Sequence, residues 1–284
     1  MNSLLPDYHI HTKLCNHAEG EMEEYVERAL LLGLKEIGFS DHMPVMPEPH
    51  LCMTYDELPG YVSRVCQLRE QYKGRISIKL GCEMDMVNMR IDEIQDILHT
   101  YPFDYCIGSL HYLDSWPFDQ EQYRNGFERG NIDVIFKRFF DAVISAIETG
   151  IYDIVGHIDN IKCMGFRPTG DITEQYERIA SVLKACNMVF ELNTSGFDKP
   201  CREQYPSREF LNVLHQYDIP VTVGSDSHSP KHIGRYFERA FSLLEEAGYE
   251  SVVYFDKRKK IVVPLYPPDG YGESGHPYNG SRMS

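Results

Sequence analysis

The sequence is short of positive charge. Its 28 Lys and Arg face 43 Asp and Glu, a formal net charge of −15 over 284 residues. Gripping a phosphate backbone takes a basic surface, so nucleic acid is excluded as the expected partner. A small anion gathered by a few cations and metal ions is not excluded. Paired cysteines are missing too. The eight, at 15, 52, 66, 82, 106, 163, 186 and 201, are scattered with no Cys-x-x-Cys, which fits reduced thiols in a cytoplasmic enzyme. The opening MNSLLPDYHIH has neither the basic segment nor the apolar stretch of a secretion signal. No run of about 18 apolar residues offers a membrane span. No repeat, low-complexity tract or linker interrupts the chain before about residue 264. Tryptophan is single, but 19 Tyr and 14 Phe leave ample material for the core of one large domain or two small ones.

What the chain does have is histidine in telling places. DYHIHTKLCNH, residues 7–17, holds three. His9 and His11 sit two apart in a β-like run and project to one face. Two imidazoles on one face suit a metal ion and not a hydrophobic core. A lone histidine is more often a hydrogen-bonded core residue, so the rest of the chain decides between the two.

Amphipathic stretches alternate with short apolar runs. Helical patterns at 23–35 (with Gly33 as a possible terminator), 61–72, 90–101, 132–150, 172–187, 207–218 and 233–248 precede EIGFSDH, ISIKLGCEMD, DYCIGSLHYL, YDIVGHID, MVFELNTSG, PVTVGSDSH and SVVYFDKRKKIVVPL respectively. Seven rounds of β and α predict parallel strands under covering helices. A closed or distorted (β/α) barrel over residues 1–264 fits best. An open doubly wound sheet is the alternative, although no Gly-x-Gly-x-x-Gly turn follows a strand. Residues 265–284 read as a flexible tail.

The polar residues fall at the ends of these strands. His9 and His11 close the first, with His17 in the loop beyond. His42 ends the second, Glu83 the third, His111 the fourth and His157 the fifth. The sixth ends in Glu191 and Asn193, the seventh in Asp226 and His228. Seven of the twelve histidines thus share one geometric position, the C-terminal rim on which β/α barrels build active sites. Imidazole and carboxylate without thiolate suit Zn, Mn or Fe. Nine candidates, His9, His11, His17, His42, Glu83, His111, His157, Asp226 and His228, are too many for one ion. Two or three divalent ions are expected, with Glu83 and Asp226 as bridges. Cys82 and Cys106 alternate away from the ligands and are expected in packing.

His9-x-His11, His17, SDH at 40–42, GCE at 81–83, GSLH, VGH and GSDSH together resemble the polymerase-and-histidinol-phosphatase (PHP) family, in the right order from residue 7 to about 230. GSLHYLDSWPFD, ELNTSG, YPS at 205–207 and GSDSHSP resemble its stand-alone histidinol-phosphate phosphatases. The resemblance implies a distorted (β/α)7 TIM-like barrel with a trinuclear site. It gives the first ion His9, His11, Glu83 and Asp226, and the second Glu83, His111 and His157. The third would take His17, His42 and His228. Phosphatases of the family often carry a basic residue just after NTSG-x, where this chain has Asp198 followed by Lys199. Lys199, Arg202 and Arg208 are candidates to replace it.

That chemistry is hydrolysis of a small phosphate monoester, expected to be L-histidinol phosphate, by a metal-bridging hydroxide without a covalent enzyme intermediate. Glu83 and Asp226 are the expected catalytic carboxylates, and Asp226 or a site histidine would protonate the leaving alkoxide. Candidate substrate contacts are Arg167, Asn193, Lys199 and Arg202. Arg167 is favoured for phosphate because guanidinium matches it bidentately. An acidic, aromatic rim of Tyr112, Trp116, Phe118 and Asp119 would seat imidazole and ammonium. Two other readings stand beside this one: a PHP phosphoesterase for another small ester or a nucleotide or DNA end, and a non-catalytic metal-containing binding module.

Overall fold

The computed structural model describes residues 5–86 and 90–266. Its first helix, α1 (Met22–Leu31), buries Met22, Tyr25, Val26 and Ala29, a stripe at helical spacing, and Gly33 terminates it at φ 75°. The chain continues through β1 (Glu36–Phe39), α2 (Leu58–Gln71), β2 (Ser77–Asp85), α3 (Ile91–Thr100) and β3 (Tyr105–Ser109). A small hairpin, β4 (Tyr112–Leu113) with β5 (Trp116–Pro117), and the short α4 (Asn125–Arg129) lead to α5 (Ile132–Ile147). Then come β6 (Ile154–Val155), α6 (Thr173–Ala185), β7 (Val189–Asn193), α7 (Arg208–Gln216), β8 (Val221–Gly224) and α8 (Phe237–Ala247), followed by β9 (Ser251–Asp256) and β10 (Lys259–Pro264).

Six strands form one parallel sheet in the order β1-β2-β3-β6-β7-β8. The segment before α1 lies between the two edges. Asp7 bridges to Ile37 and Ile10 to Ser227, both parallel. Gly38 N donates to Asp7 O at 2.8 Å on one side, and Ser227 N to His9 O at 2.9 Å on the other. The result is a distorted TIM-like ring of seven staves. Its first stave is not the regular strand that the His9-x-His11 alternation predicts, for it makes only isolated bridges to its neighbours.

The last strand also differs from expectation. Residues 251–265 form not one strand but an antiparallel hairpin, because Lys257 and Arg258 both adopt left-handed φ (48° and 62°) in a two-residue turn. This hairpin plugs the N-terminal mouth of the ring. Val253 and Phe255 pack inside it with Tyr8, Tyr105, Ile107, Ile154 and Val189. Arg258 ties down the plug through Asp153 Oδ2 at 2.8 Å. Gly81 leaves room for Tyr105 in this filling, since a Cβ there would lie 2.2 Å from the ring.

The larger apolar cluster lies between the staves and the helices, and it includes Leu80, Cys82, Met84, Cys106, Phe190 and Leu192. Cys82 and Cys106 are register partners there, in packing as expected. Inward alternation thus leaves Glu83, Asp85, Glu191 and Asn193 pointing into the ring near its C-terminal mouth. Leu265, expected in the tail, is buried, and Tyr266 meets Phe241 edge-on at 5.8 Å. The rest of that tail lies outside the described residues. Among the described residues, no helix is long and apolar enough to cross a membrane.

Candidate metal centre

Glu83 sits at the middle of the C-terminal mouth, fully buried on β2. Five imidazoles face its two oxygens. His9 Nε2 (3.2 Å), His157 Nε2 (3.3 Å) and His111 Nε2 (3.7 Å) approach Oε1. His42 Nδ1 (2.9 Å) and His11 Nε2 (3.4 Å) approach Oε2. Asp226 Oδ1 completes the group, 3.5 Å from His11 Nε2 and 3.9 Å from His9 Nε2. His17 and His228 stand at the rim with their Nε2 atoms 2.9 Å apart.

Three of the clusters whose donor atoms lie within 4.8 Å of one another are His9–His11–Asp226, His9–Glu83–His157 and His17–His42–His228. These hold eight of the nine sequence candidates, and the ninth, His111, stands beside them with Nε2 3.7 Å from Glu83 Oε1. Cys15, with His11 and His228, makes a further such cluster. Burial, reinforced by the Asp41 charge, pushes that thiol far up, which makes it a poor anionic ligand.

The donors fit bound cations. Both Glu83 oxygens, His9 Nε2, both His11 nitrogens and His42 Nδ1 are buried without a well-directed hydrogen bond. Orphaned groups at this density are costly unless something electropositive meets them. The outer nitrogens, by contrast, are held. His9 Nδ1 lies 2.7 Å from Glu191 Oε1, His111 Nδ1 3.0 Å from Asp85 Oδ2 and His17 Nδ1 2.6 Å from Cys15 O. His11 Nδ1 differs, for it has the Asp41 carboxylate nearby, Oδ1 at 3.4 Å, without a well-directed hydrogen bond to it. Such outer partners fix ring orientation and tautomer in metal sites. Two ligand candidates take unusual backbone, His157 at φ 22° and Asp226 at φ 52°, strain of the kind that collects at working sites.

Without bound ions the cluster divides its protons. Burial opposes charge on every imidazole. The nearby Asp226 and Asp41 carboxylates overcome it at His11, raised to about 9, and the hydrogen-bonded Asp85 does so at His111, raised to about 10. Burial prevails at His42, lowered to about 4, and at His17 and His228, also lowered. Burial would raise Glu83 and Asp226, yet the surrounding imidazoles hold both well below the carboxylate range, so both stay ionised.

A cavity of about 400 Å³ opens above the cluster, and Asp119, Asn160, Ser195, Lys199, Tyr205 and Arg235 are among its walls. Of the four predicted substrate contacts, Lys199 alone lines it. Asn193 is buried and spends its amide on Glu191 Oε2 and Ser195 N. Arg167 and Arg202 line a neighbouring cavity instead. The turn after β6 brings Asn160 and Cys163 back to the metal side but carries Arg167 past it, where Glu203 Oε2 pairs with it at 3.0 Å. Arg208 pairs with Glu246 at the surface. Of the expected rim, Asp119 reaches the cavity, whereas Phe118 packs on Phe139 and Trp116 on Phe127.

Sequence reasoning missed Asp41 and Asp85, although Asp41 stands inside the SDH motif and Asp85 two residues beyond Glu83 on the same strand face. It also missed Arg235, for which no local signal exists. Arg235 reaches back to Ser225 O (2.9 Å) and Asp226 O (3.0 Å), and it pairs with Asp198 at 3.0 Å. The acidic residue at 198 therefore has its cation, supplied from 37 positions along the chain.

The family model described as PHP domain matches residues 7–195. A probable histidinol-phosphatase of Deinococcus radiodurans is 30% identical, over 88% of this chain and 96% of that one. A histidinol-phosphatase of Bacillus subtilis is 29% identical, over 82% and 96%. In structure, the chain is similar to the histidinol phosphate phosphatase of Lactococcus lactis, solved with Zn, L-histidinol and phosphate. The TM-score is 0.79 and the identity 24%, over 90% of this chain and 98% of that one.

Proposed function

The chain belongs to the PHP domain family, and from that premise we propose that it is a cytoplasmic phosphoric monoester hydrolase acting on L-histidinol phosphate. The observation that carries this reading is the buried Glu83 carboxylate, ringed by five imidazoles, of which His9, His11 and His42 face it through buried nitrogens that make no well-directed hydrogen bond. The names borne by relatives that match nearly end to end support the substrate. All eight cysteines are free, which suits a reducing compartment.

Two to three divalent ions, Zn, Mn or Fe, would be held by the nine residues named above. His9, His11, Glu83 and Asp226 would hold the first, and Glu83, His111 and His157 the second. His17, His42 and His228 would hold the third. Bound there, such ions make water a nucleophile at neutral pH and neutralise phosphoryl charge.

The chain's own groups do the rest. Lys199 and Arg235, the Lys and Arg side chains of the cavity wall, attract and orient the phosphate. Asp119 offers a carboxylate to the substrate ammonium from the same cavity. Asp226 is ionised before turnover. It accepts the proton of the attacking water and returns it to the leaving alkoxide, so histidinol departs neutral at oxygen and phosphate keeps the new P–O bond.

The test is kcat/KM of metal-loaded protein on histidinol phosphate, p-nitrophenyl phosphate and nucleoside monophosphates. Losing a matched polar contact costs about 1–3 kcal/mol, so histidinol phosphate should lead by roughly one to two decades. Equal values on all three would reduce the reading to a general phosphoesterase.

A further inference from the structure

The cavity that captures Arg167 and Arg202 lies beside the metal centre but opens separately, between the N-terminal ends of α6 and α7 and the flank of α8. Its volume, about 680 Å³, is that of an ordinary small-molecule site. Its floor is polar and buried. Lys162, 2% exposed, reaches Asp159 Oδ2 at 2.8 Å and Glu203 Oε2 at 3.0 Å. Ser207 N also donates to Asp159 Oδ2, at 2.7 Å.

Two floor atoms have no partner: Asp159 Oδ1, an acceptor, and Gln204 Nε2, a donor. Both residues are at least nine-tenths buried and both line the cavity. A buried donor and a buried acceptor left open in the lining of one cavity ask for a ligand that brings one of each.

The walls narrow the choice. At the mouth, Arg202 and Arg239 form no ion pair among the described residues, and Arg239 stacks over Phe197 at 3.9 Å. Two guanidiniums with open edges suit a carboxylate. Phe136 and Phe140 line the inner side, next to Tyr176, which stacks on Phe210 at 4.2 Å. A metal ion is unsuited to a floor whose ammonium already occupies Asp159. A polyanion is equally unsuited, because Asp159, Asp171, Glu203 and Glu209 also line the space.

We propose that this cavity is a second ligand site, built for a zwitterionic α-amino acid. The carboxylate meets Arg202, Arg239 and the Gln204 amide. The ammonium donates to Asp159 Oδ1, and the side chain lies on the Phe136–Tyr176 wall.

Calorimetric titration of the metal-loaded protein with the common L-α-amino acids, in saturating inorganic phosphate, tests it. Phosphate keeps the metal centre filled, so the expected result is one-to-one binding of at least one amino acid. Arg239→Gln, an exposed change, should weaken that binding about ten-fold while kcat on the phosphate ester stays unchanged. Gln204→Leu should act the same way from the floor. Absence of binding at millimolar amino acid overturns the proposal. So does binding that phosphate displaces, or binding that both variants leave intact.

Discussion

His9 Nδ1 lies 2.7 Å from Glu191 Oε1, and that contact turns the opposite nitrogen of the ring to within 3.2 Å of Glu83. Glu191 does more than hold one ring, since its second oxygen accepts from His157 N at 2.9 Å. One carboxylate thereby positions two of the imidazoles. Glu191→Gln should lower metal affinity roughly 10–100-fold, the usual effect of losing an outer partner of a ligand. Competition against a chromophoric chelator measures it. Unchanged affinity would mean that His9 is oriented by packing alone.

Glu83→Gln keeps shape and removes charge. Five imidazoles then face an amide, so activity should fall by orders of magnitude and the metal content with it. Circular dichroism should report an intact fold. Elemental analysis of the parent protein, purified without chelators, should give two to three ions per chain. Near-normal turnover of the variant at saturating metal would remove Glu83 from its bridging role.

Metal binding should release protons. With His11 raised to about 9 and His111 to about 10, both carry a proton in the metal-free protein at pH 8, and a metal ion must displace it. Apparent affinity should therefore climb as pH rises toward 9. Titration calorimetry in two buffers of different ionisation enthalpy counts the protons. The same shifts fix the sign of stability. Groups with raised folded pKa add stability below their unfolded value, near 6.5, and lose it as pH passes 9 to 10. The metal-free protein should melt lower at pH 10 than at pH 7, and heat curves across that range that do not move would contradict the shifts.

Gly224→Ala should damage the centre from the far side of the ring. A Cβ at 224 would stand 2.0 Å from Glu191 Oε1 and 2.6 Å from His9 Cβ, both of which are buried. Overpacking of this kind costs about 1–3 kcal/mol. A lower melting temperature together with weaker metal binding is expected. Loss of stability with full metal affinity would show that Glu191 can move aside without releasing His9.

The nine metal candidates were legible in the sequence because strand ends are local events. An apolar run with a histidine or carboxylate at its close announces both the stave and its rim residue, and the β/α alternation then assigns all rims to one mouth. The helices were legible for the same reason, down to Gly33 ending α1 at positive φ.

What the tertiary structure decided is what depends on chain segments far apart in sequence. Asp7 to Ile10 close the ring only because β1 and β8 offer edges on either side, and residues 251–265 become a plug because the opposite mouth needs an apolar filling. Arg167, five residues beyond Lys162, lines a cavity apart from the Glu83 cluster, while Arg235, with no motif around it, folds back onto Asp226 and Asp198. Which residues reach the rim is set by residue type and local period, which a sequence displays. The second rank of contacts is set by how loops return across the rim, and there the deciding distances join residues 37 or 182 positions apart.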